Sequence, residues 1–289
     1  MRFTTLGTCR LADPLMTLSN SEFVRDQTNV YGYAHTAKEV IQQIQFIFGE
    51  HIPDIYAPYI TSGSTFVQKR NRTRTDLWII EISSQKEFIL DNYYLQINYL
   101  ARHFSKYKEL LNLFWRYPRQ EDLTKRHLSL KAVENLSQLS EDDLNFLFNA
   151  YVVTTTEASL REDMEAIVKL LPGQIVFVPH VNVPTNNGSF IARRVELNRF
   201  MYSIACTNRY NLFDPAIPAV QFGVNRAMMN NGSDLNHYSP EFTEYLGSLF
   251  KTTVLEPARA SKKIELNVGS STTAERSLTS QIPEYSFAG

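Results

Sequence analysis

Near the carboxyl end, Asp234 and His237 stand three residues apart in the polar stretch GSDLNHYSPEF. A carboxylate and an imidazole are the orienting and proton-transferring members of a nucleophilic centre when a thiol or hydroxyl is brought to them. The candidate nucleophile is Cys9, at the turn from the first expected strand into the first expected helix. Backbone amides and the dipole at a helix start favour a thiolate. In that arrangement His237 takes the thiol proton and Asp234 orients the imidazole through its other ring nitrogen. The amides of the helix start help to hold an oxyanion. Each residue alone also has an ordinary reading, Cys9 as a small buried apolar group and His237 as a residue flanking a helix.

These residues need elements to position them. RFTTLG (Arg2 to Gly7), DLWIIEIS (Asp76 to Ser83) and QIVFVPH (Gln174 to His180) read as short apolar strands. Amphipathic stretches alternate with them. Thr36 and Glu39 have capping-box spacing before an apolar face of Ala37, Val40, Ile41, Ile44 and Ile47, while Ser140 and Ser239 read as caps of later helices. The pattern predicts an α/β fold, a mostly parallel sheet with helices on both faces in a flavodoxin-like three-layer arrangement. In such sheets the site lies at the carboxyl ends of the strands. That rule selects Gly32, His35, Ser84, Gln85 and His180 as oxyanion or substrate-binding candidates. Cys206, in an amphipathic stretch, is expected to be buried and inert, with Cys9 the faster-labelled thiol.

From Ser84 onward the pattern reads as helical, and residues 86–170 form an insertion beyond what the sheet requires. The prediction is one domain over residues 1–257, then a Ser/Thr/Lys/Glu-rich tail of low order over 258–289. The loop SGSTFVQKRNRTRT carries Arg70, Arg72 and Arg74, whose forked donors suit a phosphate, although a basic run is also an ordinary solvated loop.

Composition narrows the class. The 289 residues carry a net charge of -1, which argues against a general nucleic-acid binder. Two cysteines cannot make a disulfide framework, which with the lack of a leader-like amino end predicts a cytoplasmic location. No run reaches the roughly 20 apolar residues of a membrane span. The six histidines show no ligand spacing on one element, so no metal site is expected.

The order of the motifs resembles a family. LGTCR after the first strand and DLNHYS before the last helix are similar to the first and last blocks of the SGNH, or GDSL-like, hydrolase superfamily, which opens with G-D-S and closes with D-x-x-H. Here Cys9 takes the place of the serine. A cysteine there is similar to GSCFA-type domains and to capsular polysaccharide biosynthesis proteins opening with G-N-C. The resemblance implies an SGNH-like fold and an acyltransferase or esterase acting through Cys9, His237 and Asp234 on an acylated carbohydrate or related small substrate. It implies no required cofactor and leaves an acyl-CoA-type compound as a candidate donor. Gly32 matches the second block, but the third block, G-x-N-D, is replaced by ISSQ, so Ser84 or Gln85 would have to stand in for its asparagine. That departure supports an alternative, a catalytically weakened SGNH-like domain that binds a glycan or a partner protein.

Overall fold

The computed structural model describes residues 1–16, 18, 22–26, 32–61, 75–133, 136–185 and 187–268. Five strands form the central sheet: β1 (Arg2–Leu6), β2 (Val24–Arg25), β3 (Leu77–Ile82), β7 (Gln174–Pro179) and β8 (Asn211–Leu212), in the order β2-β1-β3-β7-β8. Every pairing in it is parallel. The α/β reading therefore holds.

Period-two alternation distributes the strand side chains between two cores. Phe3, Leu77, Ile79, Val176 and Val178 face helices α1 (Cys9–Met16) and α9 (Pro240–Phe250). Trp78, Ile80, Ile82 and Phe177 face α2 (Ala37–Phe48), α7 (Glu157–Leu170) and α8 (Ala192–Asn208). All six residues of β3 are buried, as a strand covered on both faces must be. The expected caps form: Thr36, Ser140 and Ser239 each accept a hydrogen bond from the third residue onward.

The segment after β3 differs from the helical expectation. It opens with an antiparallel hairpin, β4 (Lys86–Leu90) and β5 (Tyr93–Leu95), which turns at Asp91 with φ of 49°. β6 (Tyr151–Thr154), expected to continue a helix, pairs with β4 instead. Between β5 and β6 run α3 (Ile97–His103), α4 (Lys108–Arg116), α5 (Leu123–Lys131) and α6 (Glu141–Asn149), around an aromatic core that includes Tyr59, Phe88, Phe104, Phe114 and Phe146. Arg126 is fully buried there, and its guanidinium donates to the carbonyls of Tyr117, Phe148 and Ala150.

A second difference lies at the carboxyl end. Helix α10 runs over Glu256–Val268, so regular structure extends past residue 258, where low order was expected. Ala258 is buried in the first core, and Lys262 reaches Asp76 at 2.5 Å. These contacts, invisible in local composition, extend the helix. Residues 269–289 lie outside the described residues, as does the basic loop with Arg70, Arg72 and Arg74. Among the described residues no helix is long and apolar enough to cross a membrane.

The helix that starts at Cys9 and the helix that follows His237 touch at Gly247, where an added Cβ would meet the Pro14 carbonyl oxygen at 2.5 Å. Gly247→Ala should therefore destabilise the protein by about 1–3 kcal/mol through overpacking. This loss exceeds the gain of about 1 kcal/mol from helix propensity. Urea unfolding measures it; unchanged or raised stability would show that the two helices separate freely.

Candidate active site

Parallel strands bring their carboxyl ends to one edge, and the site is assembled there. The Glu81 side chain on β3, 3% exposed, lies beneath the turn that follows β1. One carboxylate oxygen accepts from the Thr8 amide at 2.8 Å and the Thr8 hydroxyl at 2.5 Å, and the other pairs with Arg10 Nε at 3.1 Å. Gly7 is required by this approach, since a Cβ there would stand 2.6 Å from Glu81 Cβ. Burial opposes charge on Arg10, but the Glu81 carboxylate outweighs it and holds the guanidinium pKa above its usual value.

Cys9 is half-buried as the first residue of α1. Burial pushes its thiol pKa up; Asp13 and Glu81 add to the rise, and Arg10 opposes it. Burial thus works against the thiolate expected at a helix start. Cys206 is exposed on α8, which corrects its expected burial: the amphipathic pattern of that helix turns this position to solvent.

The D-x-x-H residues form β9 (Asp234–Tyr238), joined to residues 228 and 229 by antiparallel bridges. Asp234 accepts from His237 Nδ1 at 2.8 Å and from the Asn236 amide at 2.9 Å. The hydrogen bond from His237 holds the Asp234 carboxyl pKa down. It also places the imidazole proton on Nδ1 and leaves Nε2 as the basic nitrogen. Two arginines fix the strand. Arg194 donates to the Leu235 carbonyl at 2.9 Å and to Asn236 Oδ1 at 2.5 Å, and Arg10 reaches the Asn236 carbonyl at 3.3 Å. The structure thus brings the Cys9 turn and the His237 strand to one corner, bridged by Arg10. No hydrogen bond joins Cys9 to His237 among the described residues. Burial raises the pKa of Asp13, one turn along α1, with the charges of Arg25 and then His237 opposing the rise.

The remaining rim residues divide. His35 uses both nitrogens, Nδ1 to Ser83 Oγ at 3.0 Å and Nε2 to Asn98 Nδ2 at 3.2 Å, and burial lowers its pKa to about 4. It ties the rim to α3 and has no nitrogen left for catalysis. The Ser83 and Ser84 amides both donate to the His35 carbonyl, so the Ser84 amide is not available to an oxyanion. Gln85 is buried with its Nε2 unpartnered. Gly32 has φ of 94°, and a Cβ there would collide with the Tyr99 hydroxyl at 2.0 Å. His180 is buried and gives Nδ1 to the Ser83 carbonyl at 2.7 Å.

A model of the TviD N-terminal domain matches residues 1–251. The chain belongs to that family. A family relative, the Vi polysaccharide biosynthesis protein TviD of Salmonella typhi, is 33% identical over 269 residues, covering 87% of this chain and 31% of the relative. The chain thus spans about a third of that relative's length. Among solved structures, the M. smegmatis aryl esterase aligns with 88% of this chain and 98% of its own at 10% identity and a TM-score of 0.39. A gut microbial diltiazem-metabolizing enzyme aligns with 87% and 46% at 13% identity and a TM-score of 0.37. Likeness at this level bears on neither activity nor substrate.

Three residues that shape this corner were not singled out from the sequence, Glu81, Arg194 and Asp13, whereas Arg10 falls among the strand-end residues that the sheet rule selects. Glu81 carried the one available signal, a carboxylate in an otherwise apolar strand, where burial demands a partner. The thiol environments give a test. In the native protein at neutral pH, iodoacetamide should alkylate exposed Cys206 before Cys9, and unfolding should remove the difference. Mass spectrometry of the two peptides reads the order; faster labelling of Cys9 would contradict the raised thiol pKa.

Proposed function

We propose that this chain is an acyl-group enzyme working through Cys9, His237 and Asp234 on an acylated carbohydrate or related small substrate in polysaccharide biosynthesis. The observation that carries the reading is the Asp234–His237 hydrogen bond of 2.8 Å, held by Arg194 and Arg10 at the corner where α1 begins. The role of the TviD relative in Vi polysaccharide biosynthesis supports the pathway class.

In this mechanism the thiol is neutral at rest and is deprotonated only as it reacts. His237 Nε2 takes the Cys9 proton while sulfur attacks the acyl carbonyl carbon, and Asp234 stabilises the imidazolium. The amides at the start of α1 and of Gly32 are the proposed donors to the oxyanion; with the Ser84 amide committed to His35, Gln85 is the remaining candidate for the third SGNH-type donor. Collapse breaks the acyl–oxygen or acyl–sulfur bond of the donor, and His237 returns the proton to the leaving group. A sugar hydroxyl or water, deprotonated by His237, then resolves the thioester. Thioesters exchange readily with hydroxyl nucleophiles, which favours transfer, with an acyl-CoA-type donor.

A second reading, a weakened SGNH-like domain that binds a glycan or a partner protein, is favoured by the committed Ser84 amide and the raised thiol pKa. Single-turnover acylation followed by intact-protein mass spectrometry separates the two. With p-nitrophenyl acetate or acetyl-CoA the protein should gain one acetyl group on Cys9. His237→Ala should slow this by about 10²–10⁴-fold, Asp234→Asn should slow it too, and the double variant should be little worse than His237→Ala, since the residues act as a unit. A folded protein that never carries the acetyl group, or a His237→Ala variant acylated at the parent rate, would leave the binding reading.

A further inference from the structure

Beside the nucleophilic corner, and not including Cys9 or His237, is a pocket of about 450 Å³. It opens where β3 ends, β4 begins and α8 starts. His180 forms part of its wall. Its Nδ1 faces the Ser83 carbonyl at 2.7 Å, and a carbonyl can only accept, so Nδ1 carries the proton. Burial, with Arg10 and Arg194 nearby, keeps the ring neutral by lowering its pKa. Nε2 is therefore a bare acceptor, buried without a partner among the described residues. A buried acceptor left unsatisfied carries a desolvation penalty, which a ligand hydroxyl would relieve.

The charged part of the wall is mostly cationic. Lys86, Arg193 and Arg194 line it, against one carboxylate among the described residues, Glu196. Burial and the charge of Arg193 both lower the Lys86 pKa, and neither side chain forms an ion pair among the described residues. Helix α8 begins at this wall, with no side-chain cap and no acidic residue in its first turn, so its dipole adds to the attraction for an anion.

We propose that this pocket is a subsite for a small hydroxylated anion, whose hydroxyl donates to His180 Nε2 and whose carboxylate or phosphate lies between Lys86, Arg193 and the start of α8. The subsite deepens the proposed function, because Arg194 both lines it and holds Leu235 and Asn236. A ligand seated there lies beside the strand that carries His237. The anion has two possible sources, the carboxylate of an acidic sugar or the phosphate of a donor.

Calorimetric titration of the full chain with D-glucuronate, inorganic phosphate and neutral D-glucose tests the assignment, with the imidazole ¹⁵N resonances followed in parallel. At least one anion should bind, glucose should not, and the hydroxylated ligand should shift the His180 Nε2 resonance. Binding of glucuronate alone identifies an acidic sugar; binding of phosphate identifies a phosphorylated donor. His180→Asn, whose amide can keep the bond to the Ser83 carbonyl, should weaken hydroxylated ligands about tenfold, the worth of one hydrogen bond. The more exposed pair Lys86→Ala and Arg193→Ala should weaken both anions about tenfold or more, and it keeps the test decisive if His180→Asn fails to fold. No binding of either anion, equal binding of glucose, or binding unchanged in the Lys86/Arg193 double variant would overturn the subsite. Cys9→Ala should bind as the parent does, so a lost subsite and a lost acylation are told apart.

Discussion

A carboxylate almost wholly withdrawn from water must find partners, and the partners of Glu81 determine the geometry of this sheet edge. Removing one member of a buried, hydrogen-bonded pair typically costs about 3–5 kcal/mol, because the other charge is left uncompensated. Glu81 meets that demand with the backbone and hydroxyl of Thr8 and with Arg10. The turn that presents Cys9 is thereby fixed to the central strand. Arg10, held in place, reaches on to Asn236, so one buried group sets both the turn that carries Cys9 and the strand that carries His237.

The same burial sets protonation. At this edge desolvation raises the Cys9 thiol pKa and lowers those of His35 and His180, which leaves neutral groups where a reading from residue types alone suggests charged ones. Their roles then follow from hydrogen bonds. His35 spends both nitrogens on positioning, while among the described residues His180 retains one unpartnered nitrogen and His237, 60% exposed, bonds only through Nδ1. The raised Cys9 thiol pKa and the oriented His237 imidazole are the two features on which the proposed mechanism rests.

Much of the scaffold was legible because it rests on local signals: apolar strands such as LWIIEI, caps at Thr36, Ser140 and Ser239, and the rule that parallel strands end at one edge. Asp234 and His237 were legible as a pair because their spacing alone lets them bond. What was not legible depends on long-range contacts. Strands β4 to β6 hide in a stretch whose apolar spacing also fits helices, and the Asp91 turn separates them without a glycine. Helix α10 is tied to the body through Ala258 and Lys262, and the exposure of Cys206 depends on how α8 is rotated. Glu81 and Arg10 are 71 residues apart, so no sequence window contains them both.

The claim that Glu81 couples the two halves of the centre is tested most directly by a double-mutant cycle on Cys9 acylation. Glu81→Gln, Arg10→Met and their combination are compared in single-turnover assays, with alkylation of exposed Cys206 as a control for the fold. Each single variant should acylate Cys9 about 10- to 100-fold more slowly, a loss of about 1.4–2.7 kcal/mol in transition-state stabilisation, and the double variant should be little worse than the poorer single one. Folded single variants that acylate Cys9 at the parent rate would contradict the account.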